Sequence, residues 1–269
     1  MTGKLLKYEF RSMIKQFAII WPAALLIALI NGLTQTVRVK SSVIGNFWAS
    51  NIMILLFVGV MIAMFVASAV FIIGRFRSGL LRDEGYLMFT LPVTPVQLIF
   101  AKLIAAVVVI IISAVVGILS MFLLFSGSIE WHYVINQIGL FLSQMSAEVP
   151  LWWVIFIEVI ILTIVGIAHT VLQIYVSISI GHLAKKHRTA LAIIAFIVVT
   201  SLTSTITGAI MDALDRAGIG DFIQNFLETG KYFALSQYTI LFMLGIVTLF
   251  AAVYFILSAV ILSRKLNLE

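Results

Sequence analysis

The chain has 269 residues, of which 62% are apolar and 10% are charged, against about 25% charged in a typical soluble domain. So few charges could not cover a soluble protein of this length, and a soluble enzyme or binding domain is therefore excluded. No cysteine is present, which excludes disulfides, thiolate catalysis and zinc–thiolate sites. The formal net charge of +6 is better explained by the side of a membrane on which Lys and Arg accumulate than by a nucleic-acid partner, which we do not expect.

Residues 1–16 are predicted to form a helix in the membrane interface, because Leu5, Leu6, Phe10 and Met13 share one helical face. The alternative is a positively charged tail without a helix. A basic stretch before an apolar run also suits a signal peptide. No small-residue cleavage site follows, so we expect an uncleaved first span.

Six apolar runs, each near the ~20 residues that cross a bilayer, predict an all-α polytopic membrane protein with a single transmembrane domain, 1–269. The spans are expected at residues 17–37, 52–73, 96–125, 151–180, 190–210 and 238–262. Between them lie a cytoplasmic segment at 75–95, an outer loop at 126–150, a cytoplasmic loop at 181–189 and an outer amphipathic segment at 211–237. Gly218 and Gly220 are expected to divide the last segment into two short helices.

The distribution of positive charge predicts that both termini lie in the cytoplasm. With that orientation, 13 of the 17 lysines and arginines are cytoplasmic: Lys4, Lys7, Arg11, Lys15, Arg75, Arg77, Arg82, Lys102, Lys185, Lys186, Arg188, Arg264 and Lys265. The outer segments hold the other four, Arg38, Lys40, Arg216 and Lys231. Because Lys and Arg accumulate on the cytoplasmic side, this asymmetry favours an even number of spans.

The polar segment 75–95 contains a helix-start signal. In Thr94-Pro95-Val96-Gln97, a Thr precedes a Gln by three residues and proline takes the first helical position, which predicts a helix beginning sharply at Pro95. Pro92 disfavours helix at Leu91, so the preceding element should end there.

Between Gly85 and Leu91 there is room for under two helical turns. This short piece exposes Tyr86, Leu87, Met88 and Phe89 at a cytoplasmic corner. An exposed apolar cluster of this kind is either a binding surface or a loop whose aromatic residues dip into lipid.

The segment resembles the cytoplasmic coupling segment of type 2 ABC exporter permeases, the ABC-2 family. The features that carry the resemblance are Asp83-Glu84-Gly85, then Leu91-Pro92-Val93-Thr94, then Lys102 in the following span. The resemblance implies that a short coupling helix docks on a separate cytoplasmic ATPase. The ATPase-coupling residues would be Arg82, Asp83, Glu84, Gly85, Tyr86, Leu87, Met88, Phe89, Leu91 and Pro92.

The same resemblance implies the partners and the location. A six-span chain would supply half of an export pathway in a bacterial plasma membrane, pairing with a second permease copy or a paralogue and with two ATPase subunits. ATP and Mg would be bound by the ATPase, and this chain would need no cofactor. Small outer segments and an apolar lining favour an amphipathic or hydrophobic cargo, such as a membrane-active toxin or lantibiotic, ahead of a drug, lipid or glycan.

Three polar residues of the fourth span form a candidate substrate path: Glu158, His169 and Gln173. At 100° per residue, Glu158 and His169 differ by about 20° around the helix axis, and Gln173 lies about 60° from Glu158. Ionisable groups at membrane depth usually face a bundle interior or a wet cavity. A packing role explains the same pattern equally well.

No catalytic or nucleotide-binding motif is present in the sequence, and no metal site is expected. There is no G-x-x-x-x-G-K-[ST], H-E-x-x-H or G-x-S-x-G. Energy for transport would come from a partner or an ion gradient. The alternative function is therefore an ion-coupled carrier, which would use Glu158 or His169, or a membrane scaffold that transports nothing.

Overall fold

The structure, a computed structural model, describes residues 2–41, 47–81, 94–126, 130–149, 151–184, 186–229 and 232–264. These residues form eight α-helices and no strand. The helices are α1 Thr2–Ser41, α2 Phe47–Leu81, α3 Pro95–Phe125, α4 Trp131–Glu148, α5 Trp152–Gly181, α6 Arg188–Arg216, α7 Ile219–Glu228 and α8 Tyr232–Arg264.

Six of these helices are long and apolar enough to cross a membrane, which confirms the prediction of a multi-pass helical protein. Within the described residues, the candidate spans are Leu5–Thr34, Ile54–Arg77, Pro95–Phe125, Trp152–Gly181, Arg188–Arg216 and Phe233–Ser263. They lie in α1, α2, α3, α5, α6 and α8. Lipid-facing helices keep their backbone hydrogen bonds internal, which is why apolar runs of this length fold as helices.

Three elements differ from the expectation. Of the two short helices predicted in 211–237, the structure has one, α7, which contains Gly220, because α6 continues to Arg216. The predicted interfacial helix 1–16 and first span are one 40-residue helix, α1, which continues through Pro22. No Gly or Pro stands between residues 12 and 20 to break it. The predicted outer loop contains the 18-residue helix α4 instead, followed by Pro150, a residue poorly suited to continue a helix.

The chain divides into two compact units, the first being Met1–Arg75 with Ile104–Phe141. In this unit α1 and α2 run antiparallel and α1 and α3 run parallel. The order of the contacts shows this: Ala24 packs with Met64 and Val116, and Ala28 packs with Phe57 and Leu124. Trp21 Nε1 also donates to Ser113 Oγ at 3.0 Å, joining α1 to α3.

The second unit is Phe76–Leu103 with Leu142–Glu269. Here α5 packs along both α6 and α8, and α7 packs on α6 and α8. Helices α5 and α6 run antiparallel, since Gln173 bonds to Thr200 while Gly181 meets Ala192. Helices α5 and α8 run parallel. Three long helices that alternate in direction are what a chain crossing a bilayer three times requires.

Candidate functional site

The predicted ATPase-coupling residues, Arg82 to Pro92, lie outside the described residues. The structure does describe the chain on both sides of them. On the C-terminal side, α3 begins at Pro95, as the sequence predicted. The capping box is formed in both directions: Gln97 N donates to Thr94 Oγ1 at 3.4 Å, and Thr94 N donates to Gln97 Oε1 at 3.3 Å. These bonds fix where the chain enters α3.

Tyr175 of α5 contacts the chain on both sides of the predicted coupling residues 82–92. Its ring stacks on Phe76, near the end of α2, with centroids 4.0 Å apart and planes 14° from parallel. Its hydroxyl donates to the backbone carbonyl of Lys102 in α3, at 3.4 Å. Tyr175 and Phe76 are fully buried, and Lys102 is 1% exposed. The chain entering and the chain leaving the coupling segment therefore meet the same side chain of α5.

Around Tyr175, α5 is at its most buried, from Val171 to Ser179, apart from partly exposed Ile174. Close packing continues at Gly181, where a Cβ would lie 2.6 Å from both Cβ and N of Ala192 in α6. Only a residue without a side chain fits at this approach of the two helices. The flanks of the coupling segment are thus held on a tightly packed part of the second unit, where displacement of one element must move its neighbours.

A buried ion pair joins α1 to α2 in the first unit. Arg75 Nε lies 2.9 Å from Glu9 Oε2, and Glu9 is 1% exposed. The Arg75 guanidinium also lies over the Tyr8 ring, 5.7 Å from its centroid. Sequence reasoning treated Arg75 as a cytoplasmic charge and missed Glu9. The available signal was that Glu9 is the single acidic residue in the first 82 positions.

The three polar residues predicted on α5 face two different helices. Glu158 Oε2 accepts a hydrogen bond from Gln237 Nε2 of α8 at 3.1 Å. The His169 ring lies against Tyr254 of α8, with centroids 5.4 Å apart. Gln173 instead donates through Nε2 to Thr200 Oγ1 of α6 at 2.7 Å. Each of these residues contacts another helix, and neither Gln237 nor Tyr254 had been singled out in the sequence.

These contacts form a polar seam within the second unit, made of Glu158, Gln237, His169, Tyr254, Thr203, Gln173 and Thr200. The Tyr254 hydroxyl is hydrogen-bonded to Thr203 Oγ1, which ties α8 to α6 beside His169. Interhelical hydrogen bonds of this type hold helices together in a lipid environment. The seam therefore joins α5 to both α6 and α8 within the second unit.

The Ser and Thr side chains of α6 fall into two groups. Thr200 and Thr203 are hydrogen-bonded to side chains of other helices. Ser201, Ser204 and Thr205 are exposed and, with Thr200, line an open groove of about 490 Å³. A second groove, of about 740 Å³, lies among α6, α7 and α8. Across the described ranges, no group of three or more His, Asp and Glu side chains is placed to hold a metal ion.

Comparison of the chain with family models, with curated proteins and with solved structures found no match in any of the three.

Proposed function

We propose that this chain is the permease subunit of an ATP-driven exporter of the ABC-2 type. It would form half of a translocation pathway and couple to a separate cytoplasmic ATPase. Three observations support the proposal: six helices suited to crossing a membrane, the cytoplasmic bias of Lys and Arg, and the motif order between the second and third spans.

The observation that carries the proposal is the shared contact at Tyr175. A coupling segment can transmit force only if its ends are joined rigidly to the helices that must move. Here Phe76 and Lys102, one on each flank, both contact a buried residue of α5. A loop that only dips into lipid would need no such anchorage.

The mechanism follows from this arrangement. Closure of the ATPase dimer on ATP would push the 85–91 helix. Since packed interfaces rearrange between discrete states instead of deforming continuously, the push would displace α5 together with α6 and α8. That displacement would switch the permease half between inward-facing and outward-facing arrangements. A second permease copy or paralogue would complete the pathway, and the partner ATPase would bind ATP and Mg.

For the cargo we propose a membrane-active peptide, such as a toxin or lantibiotic, exported across a bacterial plasma membrane. The candidate spans expose many large apolar side chains, among them Leu202 and Ile206 of α6 and Leu249 and Leu257 of α8. A cargo that is itself amphipathic can pass along such surfaces from the lipid.

The docking proposal is tested by coexpressing the chain with a candidate ABC ATPase from the same genome and pulling down the complex in mild detergent. Phe89→Asp, or deletion of residues 86–89, is expected to abolish association, because a charge or a gap replaces the apolar contact. Membrane insertion should be unchanged. Phe141→Asp, at an exposed position on the predicted outer side, is the matched control and should leave the pull-down intact. Undiminished association of Phe89→Asp would contradict docking through this segment.

An ion-coupled carrier is the competing function, and the placement of Glu158 and His169 in a membrane-length helix is the observation that favours it. A carrier would move cargo in vesicles that contain this chain alone and a proton gradient. The exporter should be inactive there, and should gain activity only when the ATPase and ATP are added.

A further inference from the structure

The groove of about 740 Å³ lies in the second unit, where the end of α6, the short helix α7 and the start of α8 meet. Its volume falls within the range of about 300–1,000 Å³ that is common for ligand sites. Most of its lining is apolar, including Met211, Leu214, Ile223, Phe222, Tyr238 and Phe242.

The groove is built by a specific turn and an aromatic cluster. Gly218 has φ of 82°, a left-handed conformation that favours glycine, and its N–H donates to Asp215 O at 3.0 Å. This turn ends α6 and starts α7. Phe222 then packs against Phe226 at 4.6 Å and Tyr238 at 6.4 Å between ring centroids. The contact with Tyr238 holds α7 on α8, so one wall of the groove is preformed.

Two carboxylates give the apolar groove a charge. Asp212 and Asp215 both line it and are exposed. The Asp215 carboxylate lies over Gly220, where a Cβ would be 3.5 Å from its Oδ1. Among the described residues that line the groove there is no lysine or arginine, and Arg216, the next residue, is not one of them. Neither aspartate is in an ion pair with any residue that the structure describes.

We propose that this groove binds the apolar face and an adjacent amine of a cationic amphipathic peptide. The apolar wall would take the peptide's hydrophobic side chains, and the two aspartates would take its cationic group. As the cargo site of an exporter, the groove rests on the proposed function. Under the predicted orientation it lies at the outer end of the spans, where such a peptide would be received or released.

The absence of cysteine allows a direct binding assay on the full-length chain in detergent. Thr239→Cys places a single thiol at an exposed position of the groove. The probe is a short amphipathic peptide of leucine and lysine, and the readout is the rate at which a charged maleimide labels the thiol. Glu130→Cys, exposed and in the other unit, is the matched control.

We expect the leucine–lysine peptide to slow labelling at position 239 by about fivefold or more, and to leave position 130 unaffected. The double substitution Asp212→Asn with Asp215→Asn should weaken binding of the peptide about tenfold. That is the size expected when two solvent-exposed charge interactions are lost. Asp→Glu at both positions should restore binding. Raising the ionic strength should weaken binding to the unaltered aspartates, which tests the charge contribution without any change at those positions.

The proposal is overturned if a leucine–glutamate or leucine–serine peptide of the same length protects position 239 equally, or if the Asn pair and added salt have no effect. If the peptide slows maleimide labelling at both position 239 and position 130, it adsorbs to the protein nonspecifically and does not bind in the groove. Because the assay contains no ATPase, its failure is separable from failure of the pull-down: either result can be negative while the other stands.

Discussion

At the scale of single residues, Tyr175 combines an aromatic stack with a hydrogen bond to the backbone of another helix. It is fully buried, so its ring contributes both apolar burial and contact with Phe76. A buried hydroxyl without a partner would be costly, and the Lys102 carbonyl supplies that partner. The two contributions can be separated by mutation because one belongs to the ring and the other to the hydroxyl.

Tyr175→Ala is expected to destabilise the chain by about 3–5 kcal/mol, since it removes a large buried ring. Tyr175→Phe keeps the stack and loses only the hydrogen bond, at about 1 kcal/mol. The measurement is thermal or denaturant unfolding in detergent. Tyr133→Ala is the control, because Tyr133 is 61% exposed. A Tyr175→Ala variant as stable as the parent would show that the stack does not hold the flanks.

Glu158→Gln tests whether this residue acts in transport. Glutamine has nearly the same size and retains an oxygen that can accept from Gln237, so the loss of stability should stay within about 1 kcal/mol. We expect transport of a peptide cargo in reconstituted vesicles to change more than assembly does. Loss of folded protein, without any effect specific to transport, would assign Glu158 a structural role. Glu130→Gln, at an exposed position outside the long helices, is the control.

At the scale of helices, the cytoplasm-facing end predicted for α5 is where packing is tightest. The close approach of α5 and α6 depends on Gly181, since the space for a Cβ is taken by Ala192. Gly166, nearer the start of α5, has no atom of another helix within 4 Å of the place where a Cβ would lie. The helix therefore contains a matched pair of glycines, one at a contact and one away from any.

Gly181→Ala is expected to destabilise the chain by about 1–3 kcal/mol, because α5 and α6 must separate to admit the methyl group. Gly166→Ala should be neutral or stabilising by up to about 1 kcal/mol, since alanine favours helix over glycine. Unfolding of both variants in the same detergent gives the comparison. Equal effects at the two positions would mean that the α5–α6 approach is looser than the structure has it.

At the scale of the whole molecule, each unit contains long helices that alternate in direction. In the first unit α2 runs against α1 and α3, and in the second α6 runs against α5 and α8. Together with the six candidate spans, the alternation within each unit supports our proposal that both termini lie on one side of a membrane. Lys and Arg are biased toward the termini and toward the segments after the second and fourth spans, so we propose that this side is the cytoplasm.

This orientation predicts the labelling of single cysteines placed at exposed positions of the cysteine-free chain. Thr229→Cys should react with an impermeant maleimide added outside intact cells. Gly3→Cys and Ser263→Cys should react only after the cells are permeabilised. All three residues are exposed, so reagent access depends on the side of the membrane. Labelling of Gly3→Cys in intact cells would overturn the N-in orientation.

Much of the fold was predictable because hydropathy and helix starts are local properties. The six long apolar helices and the beginning of α3 at Pro95 follow from the residues of each stretch alone. Helix α4 was missed because its mixed composition lacks the length of apolar sequence that marks a span. The unbroken α1 was missed because a change in polarity along a chain does not require a break in its helix.

By itself, the sequence determined that this is a helical membrane protein and where its long helices lie, since burial of backbone polar groups in lipid leaves few alternatives. It also marked Glu158, His169 and Gln173 as polar groups in one helix. Only the tertiary structure decided that two of them meet α8 and one meets α6, and that Tyr175 contacts Phe76 and Lys102 on either side of residues 82–93. Those partners lie from 27 to 99 positions apart, and their pairing depends on how each helix is rotated against its neighbours.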